Sequence, residues 1–221
     1  MCCLYYSYGQ NRHIIGGPQQ NTIIKRQLPK AKKSTPKTNK PFSKNSNTIE
    51  KLAASITKNS KTEDEKSTAI FNWISKNIAY DHELMFDKTL QNSIYSSEEN
   101  VVNHVLKRRK ALCGGYAFLY RELCASIGIE SKVIHGYTKT AGLQRKNDQV
   151  HHTWNAVKLN NQWQLLDITW AKSFSTNNVP NRSWYKTRPK DFVKTHLPEE
   201  QQWTLLNYRI SLREFDLASE K

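Results

Sequence analysis

The hydrophobic pattern of this chain changes its period once, at Gly128. Before Gly128, apolar residues recur at the i, i+3, i+4 and i+7 spacing of amphipathic helices. After Gly128, they follow the shorter repeat of β-strands. A run of helices followed by a run of strands is the order found in α+β domains. We therefore predict an α+β domain.

Two helices carry start signals in the sequence. Thr62 and Glu65 form a capping box, and the apolar stripe that follows should run to about Ala79. Ser96 with Glu99 marks a second start, and a basic run closes that helix with charges suited to the negative end of its dipole. Both helices precede the segment that carries the chemistry.

A further helix is predicted to begin close to Cys113 and to stop at Gly128, a residue typical of helix C-termini. Cys124 lies on the apolar stripe of this helix. We interpret it as a buried small hydrophobe rather than a second reactive thiol.

Three strands are predicted after the helices, with an aromatic-rich segment that wraps over the sheet as loops and short elements. The strands are Lys132–Thr138, His152–Leu159 and Gln162–Trp170. Asn160 and Asn161 separate the last two, and Asn tolerates the positive φ that a two-residue hairpin turn requires. This turn would make the two strands an antiparallel pair.

The turn also fixes a register. With two residues in the turn, Trp154 lies opposite Asp167 and His152 lies opposite Thr169. His152 and Asp167 are then diagonal neighbours on one face, within reach of an imidazole–carboxylate hydrogen bond. A three-residue turn would put them on opposite faces. His151 should face the other side as a bystander, and a bulge would reverse the two histidines.

These residues have complementary chemistry. A helix N-terminus favours the thiolate form of Cys113, which makes it a candidate nucleophile. Asp167 would fix the tautomer of His152, whose other ring nitrogen would take the thiol proton as the base. The glycines after Cys113, beginning with Gly114, would let a substrate carbonyl approach the backbone, where the Cys113 N–H could bind the oxyanion.

The same motifs carry a resemblance to a known family. Cys113-Gly-Gly-Tyr-Ala, then His152-Thr-Trp-Asn, then Asp167-Ile-Thr-Trp resembles the transglutaminase-like superfamily, whose catalytic triad falls on these three positions in this order. The region 192–215 is similar to the branch of kyphoscoliosis-peptidase and cytokinesis-protein domains and their bacterial relatives. The resemblance covers about residues 50–217.

The resemblance implies a papain-like fold, with the nucleophile on a helix packed against an antiparallel sheet that carries histidine and aspartate. It also implies acyl transfer from an amide through a thioester, with water or an amine as the acceptor, and it does not choose between them. The side-chain donor of the oxyanion hole has no clear occupant. Tyr80 is one candidate, a packing role being at least as well supported, and Trp154 and Asn155 complete the residues expected around the site.

Charge divides the chain into two regions. Residues 1–48 carry nine Lys or Arg and no acidic residue, which leaves +6 of the net +15 for the remainder. We predict a basic, disordered tail over 1–47 and one domain over 48–221. The tail is expected to stay solvated, with weak adhesion to anionic polymers or membrane surfaces as the alternative.

The first ten residues resemble the end of a secretory signal without its charged start, which would imply a secreted or periplasmic chain. A frayed terminus explains them nearly as well. No apolar run is long enough to span a membrane.

Other function classes receive less support. The chain has no HExxH or CxxC pattern and no calcium loop, so we predict no required metal or cofactor. No nucleic-acid motif accompanies the charge. The expected partner is a protein or peptide substrate. The alternative is a catalytically silent binding or scaffolding module that retains the fold.

Overall fold

The structure, a computed structural model, describes residues 46–139 and 152–218. The predicted tail lies almost entirely outside these residues, as do the signal-like segment and His151. Within the described ranges, no helix is long and apolar enough to cross a membrane.

Nine α-helices occur in the described part of the chain, together with two short 3-10 segments. In chain order the helices are α1 (Ser46–Thr57), α2 (Glu63–Asn77), α3 (His82–Phe86), α4 (Lys88–Ile94), α5 (Glu98–Arg108), α6 (Cys113–Ser126), α7 (Ile168–Ser173), α8 (Pro189–Phe192) and α9 (Leu212–Leu217).

Seven strands accompany them. They are β1 (Ala79–Tyr80), β2 (Lys110–Ala111), β3 (Ser131–Thr138), β4 (His152–Leu159), β5 (Gln162–Leu166), β6 (Tyr185–Thr187) and β7 (His196–Pro198). The main sheet has the order β6-β5-β4-β3-β7, and every neighbouring pair is antiparallel. β1 and β2 form a separate parallel pair. The predicted α+β class is confirmed.

The capping signals are confirmed for α2 and shifted by one residue for α5. Thr62 and Glu65 make both bonds of a capping box. The N-cap of α5 is Ser97, whose hydroxyl accepts a hydrogen bond from the Asn100 N–H. The prediction of Ser96 as the cap is therefore wrong, because its own hydroxyl donates back to a carbonyl of α4.

The predicted two-residue turn between β4 and β5 is confirmed. Asn160 and Asn161 both have positive φ, 49° and 63°, and Leu159 pairs with Gln162. Positive φ at both central positions gives the turn the twist that antiparallel strands need.

β5 is shorter than predicted. It ends at Leu166, and the side chain of Asp167 then accepts a hydrogen bond from the Trp170 N–H as the N-cap of α7. The predicted strand through Trp170 and the pairing of His152 with Thr169 are therefore wrong. The chain turns into a helix because the Asp167 carboxylate satisfies a backbone donor of its first turn.

The main sheet is covered on both faces. Val157 and Leu159 of β4 belong to the core shared with α1, α2, α5 and α6. Trp154 and Ala156, which alternate with them along β4, pack instead with Phe192 of the C-terminal segment. The predicted wrapping of that segment over the sheet is confirmed, and helix α6 occupies the middle of the larger core.

A buried polar cluster joins α6 to α2 and β6. Ser67 Oγ hydrogen bonds with the hydroxyls of Tyr120 and Tyr185, at 2.7 and 2.8 Å. Cys124 is fully buried, as predicted. Burial raises the pKa of the Cys124 thiol to about 12 and raises the pKa of Tyr120 well above its usual value.

We predict that this buried thiol weakens the fold at alkaline pH. The folded pKa of Cys124 lies above its unfolded value of about 9, so its stabilising contribution is complete below pH 9 and is lost as the pH rises towards 12. Between pH 8.5 and 10 the wild type should lose about 1 kcal/mol more of its unfolding free energy than Cys124→Ala does. Urea unfolding at several pH values measures both curves, and parallel curves would contradict the prediction.

Candidate active site

Cys113 is the first residue of α6, and one residue, Leu112, separates it from β2. Its side chain is only 2% exposed. Leu112, the N-cap, makes no side-chain bond to the first turn of α6, whereas the N-caps of α2, α3, α4 and α5 do. The sulfur is thus placed at the positive end of a 14-residue helix, where the aligned peptide dipoles favour a thiolate.

The glycines after Cys113 have a packing role that the sequence analysis did not predict. A Cβ on Gly114 would lie 3.1 Å from Cε1 of Tyr95. A Cβ on Gly115 would lie 2.8 Å from Cγ2 of Val105 and 3.0 Å from the Cβ of Ala111. The close approach that these glycines permit is therefore made by neighbouring side chains at the end of α4, in α5 and in β2. The predicted role of Gly114 in opening the backbone to a substrate carbonyl stays a prediction.

His152 and Asp167 are hydrogen bonded, as the register predicted. His152 Nε2 donates to Asp167 Oδ2 at 2.6 Å, and both side chains are buried. The aspartate lies one residue beyond the paired part of β5, and its partner is the first residue of β4. The two-residue turn thus brings the two groups to one face, although the strand pairing stops before it reaches Asp167.

The carboxylate of Asp167 accepts three hydrogen bonds. Oδ1 accepts from the Trp170 N–H at 3.0 Å, and Oδ2 accepts from both His152 and His196. Burial by itself would raise the pKa of Asp167. The nearby charge and hydrogen bond of His152, together with the hydrogen bond from His196, hold the pKa well below its usual value. The carboxylate is therefore ionised across the physiological range.

His196 is the site residue that the sequence reasoning missed. Its Nε2 lies 3.0 Å from Asp167 Oδ2, and its side chain is fully buried. It comes from β7, 29 residues after Asp167, and no periodicity links the two. The signal available in the sequence was the resemblance of the C-terminal region to one branch of the family.

Trp154 and Asn155 have separate surroundings on opposite faces of β4. The Trp154 ring stacks on His152 with centroids 6.0 Å apart, and its indole N–H has no hydrogen-bond partner among the described residues. Asn155 donates from Nδ2 to the carbonyls of Ala117 and Lys132, at 3.0 and 3.2 Å. Asn155 therefore ties β4 to α6 and β3, and its amide N–H groups are used for this purpose rather than for an oxyanion.

Tyr80 lies near the start of α6 but bonds elsewhere. It pairs with Ala111 in the parallel β1–β2 ladder, two residues before Cys113. Its hydroxyl donates to Met85 Sδ at 3.6 Å and its ring contacts His82, which supports the packing role rather than the oxyanion role. Tyr95, which contacts the Gly114 position, is the tyrosine against the first turn of α6.

His152, Asp167 and His196 also form the group of described residues that is close enough to bind a metal ion, with ligand atoms within 4.8 Å of one another. The separations of 2.6 and 3.0 Å are hydrogen-bond distances. Two ligands around one tetrahedral zinc ion lie about 3.3 Å apart, given bonds of about 2.0–2.1 Å. We therefore interpret the group as a hydrogen-bonded cluster, and the prediction that no metal is required stays a prediction.

An antiparallel sheet carrying histidine and aspartate, with a cysteine at the start of the helix packed on it, is the arrangement expected of papain-like thiol proteins. The family model described as the Transglutaminase-like superfamily matches residues 50–168, more than half of the chain. The chain belongs to the transglutaminase-like superfamily, and the predicted resemblance is confirmed.

The similar proteins include members of the predicted branch. Kyphoscoliosis peptidase of Mus musculus is 28% identical over 177 residues, covering 76% of this chain and 26% of the relative. Hillarin of Drosophila melanogaster is 27% identical over 176 residues, covering 70% and 20%. Cytokinesis protein 3 of Schizosaccharomyces pombe is 23% identical over 150 residues, covering 62% and 16%. The chain spans about a quarter or less of the length of these relatives.

Solved structures give weaker likenesses. A crystal structure of a TGase has a TM-score of 0.43 and 22% identity, covering 67% of this chain and 36% of its own. The periplasmic domain of TgpA from Pseudomonas aeruginosa has a TM-score of 0.42 and 16% identity, covering 56% and 42%.

We predict that Gly115→Ala destabilises the protein by about 1–3 kcal/mol, because the added methyl group overpacks the contact with Val105. In a Val105→Ala background the same substitution should cost less, since the closest contact is gone and alanine favours the helix. Urea unfolding of the four proteins in this double-mutant cycle gives the coupling. Equal costs in the two backgrounds would show that the glycine is not required by packing against α5.

Proposed function

We propose that this chain is a cysteine-dependent acyl-transfer enzyme that acts on amide bonds of a protein or peptide through a thioester. Cys113 is the nucleophile, His152 is the general base and acid, and Asp167 orients His152. The observation that carries the proposal is the buried 2.6 Å hydrogen bond from His152 Nε2 to Asp167 Oδ2. That bond fixes one ring nitrogen on the carboxylate, which supports the assignment of the other, Nδ1, to the thiol proton.

A hydrogen bond between β4 and α6 supports this assignment of Cys113. Asn155 bonds to the carbonyl of Ala117, one helical turn after Cys113, and lies three residues along β4 from His152. This bond restrains the strand that bears the imidazole against the helix that bears the thiol. Helix α6 contributes N–H groups at its first turn, which suit the negative charge of an oxyanion.

The reaction balances with these groups. His152 Nδ1 takes the thiol proton, and the Cys113 sulfur forms a bond to the amide carbonyl carbon, whose oxygen becomes an oxyanion. The C–N bond then breaks, and the leaving amine receives the proton from Nδ1. Nδ1 next removes a proton from water or an amine, which attacks the thioester carbon, and the S–C bond breaks to restore the thiol with the returned proton.

Water and an amine are both compatible with this sequence of steps. A screen of amide hydrolysis against amine incorporation, with Cys113→Ala as the inactive control, decides the acceptor.

We predict that Cys113 is alkylated by iodoacetamide at pH 6 roughly 10–100-fold faster than a free cysteine, because an ordinary thiol is almost entirely protonated there. The measurement is best made in a Cys2→Ser, Cys3→Ser background, with the modified peptides identified by mass. Cys124 is the internal control, since its burial and raised pKa should leave it unmodified.

Two further variants test the roles of the other groups. Asp167→Asn keeps a side chain that can cap α7 but replaces the carboxylate that binds His152 with a neutral amide. The rate of Cys113 alkylation and the turnover rate should therefore fall by roughly 10²-fold or more. His152→Ala should lower the labelling rate to that of a free thiol. A Cys113 that reacts no faster than a free thiol in the folded wild type would overturn the proposal.

The second candidate is a catalytically silent binding or scaffolding module. It is favoured by the burial of Cys113 and His152, which are 2% and 3% exposed, and by the C-terminal segment packed over the same face as His152. Equal partner binding and equal biological effect of wild type and Cys113→Ala would support this candidate, whereas loss of the effect in the variant supports the enzyme.

A further inference from the structure

One oxygen of Asp167 serves two imidazoles. Oδ2 accepts from His152 Nε2 at 2.6 Å and from His196 Nε2 at 3.0 Å, and the three side chains are 4% exposed or less. In this water-excluded setting each hydrogen bond is electrostatically stronger than it would be at the surface. The two donors therefore compete for the charge of the same oxygen.

The other ring nitrogen of His196 faces a hydroxyl. Nδ1 of His196 lies 2.8 Å from Thr195 Oγ1, which also lies 3.3 Å from the carbonyl of Phe192. A hydroxyl has one proton to donate. Donation to Nδ1 leaves His196 neutral with its proton on Nε2, whereas donation to the Phe192 carbonyl requires a doubly protonated ring. The shorter contact favours the neutral form.

Aromatic rings hold His196 in this orientation. Phe192 stacks on it with centroids 4.2 Å apart, and Trp170 and Trp184 lie at 4.4 and 5.4 Å. Trp154 meets it edge-on at 5.1 Å. This surrounding is apolar and disfavours a charged ring. The backbone is fixed as well, because His196 begins the pairing of β7 with β3.

The charged and titratable groups around this carboxylate are few. Among the described residues, those that face Asp167 are His152 from β4 and His196 from β7. α7, α8 and the 3-10 segment Arg182–Trp184 contribute the aromatic rings of Trp170, Phe192 and Trp184, respectively. Under the proposed function, Cys113 enters from α6. One carboxylate is then balanced by one imidazolium, that of His152, and a second cation would be in excess.

We propose that His196 is a positioning residue for the His152–Asp167 pair: as a neutral Nε2–H donor it orients Oδ2 and takes up part of its acceptor strength, which limits how tightly Asp167 holds the His152 imidazolium. This inference rests on the proposed function for its catalytic meaning. Its physical content, the coupling of His196 to the titration of His152, is measurable whether or not Cys113 is a nucleophile.

The test compares wild type, His196→Leu and His196→Gln by NMR of ¹⁵N-labelled histidine across pH. Removing the donor in His196→Leu leaves the whole acceptor strength of Oδ2 to His152, so the midpoint of His152 titration should rise by roughly 0.5–1 pH unit. His196→Gln, whose amide N–H can replace Nε2–H, should return the midpoint towards wild type. Thermal unfolding of each variant confirms that it is folded.

The wild type supplies a second measurement that needs no variant. His196 should show the Nε2–H tautomer, with Nδ1 unprotonated, at pH values at which His152 is protonated. A doubly protonated His196 near neutrality, or an unmoved His152 midpoint in folded His196→Leu, would overturn the proposal.

Turnover adds the catalytic readout. In His196→Leu, kcat should fall roughly 10-fold with little change in KM, because the variant removes an interaction that positions the reacting groups without touching the substrate, and His196→Gln should recover most of it. A shifted His152 midpoint in a protein without Cys113-dependent activity would retain the coupling and count against the proposed function alone. An unshifted His152 midpoint in a fully active variant would overturn the coupling and leave the proposed function standing.

Discussion

The hydrogen bonds of the Asp167 carboxylate hold the second half of the domain together. One oxygen caps α7 and the other accepts from β4 and β7, so three elements meet at one buried charge. Removing a carboxylate from water costs several kcal/mol unless donors replace the lost hydration. The three donors supply that replacement. The same bonds fix the His152 ring, which makes its orientation a consequence of the packing of the fold.

The part of this arrangement that the sequence could predict follows from the two-residue period of strands. Asn160 and Asn161 mark a turn in which both residues tolerate positive φ, and the turn determines which residues share a face. The end of β5 could not be predicted in the same way. Apolar residues continue past Leu166, and an aspartate within such a run is compatible with a strand end or with a helix N-cap. The three-dimensional placement of donors around Asp167 decides between them.

Contacts between segments far apart in the chain could not be predicted from the sequence, for a different reason. His196 reaches Asp167 through the pairing of β7 with β3, and strand pairing at the edge of a sheet leaves no periodic signal in a three-residue strand. The glycines after Cys113 do leave a signal in the sequence, but an incomplete one. Their presence indicates close approach, but a glycine does not indicate what approaches it, and here Tyr95 and Val105 fill the space.

Because its pKa is lowered, Asp167 loses its proton below the neutral pH range. A carboxylate whose folded pKa lies below its unfolded value of about 4 contributes its full stability at any pH above that value, and loses it only as the pH falls further. The cap of α7 and the orientation of His152 are therefore constant throughout the neutral range. Under the proposed function, we therefore expect a pH dependence of activity in that range to come from groups other than Asp167, such as the His152 imidazole and the Cys113 thiol.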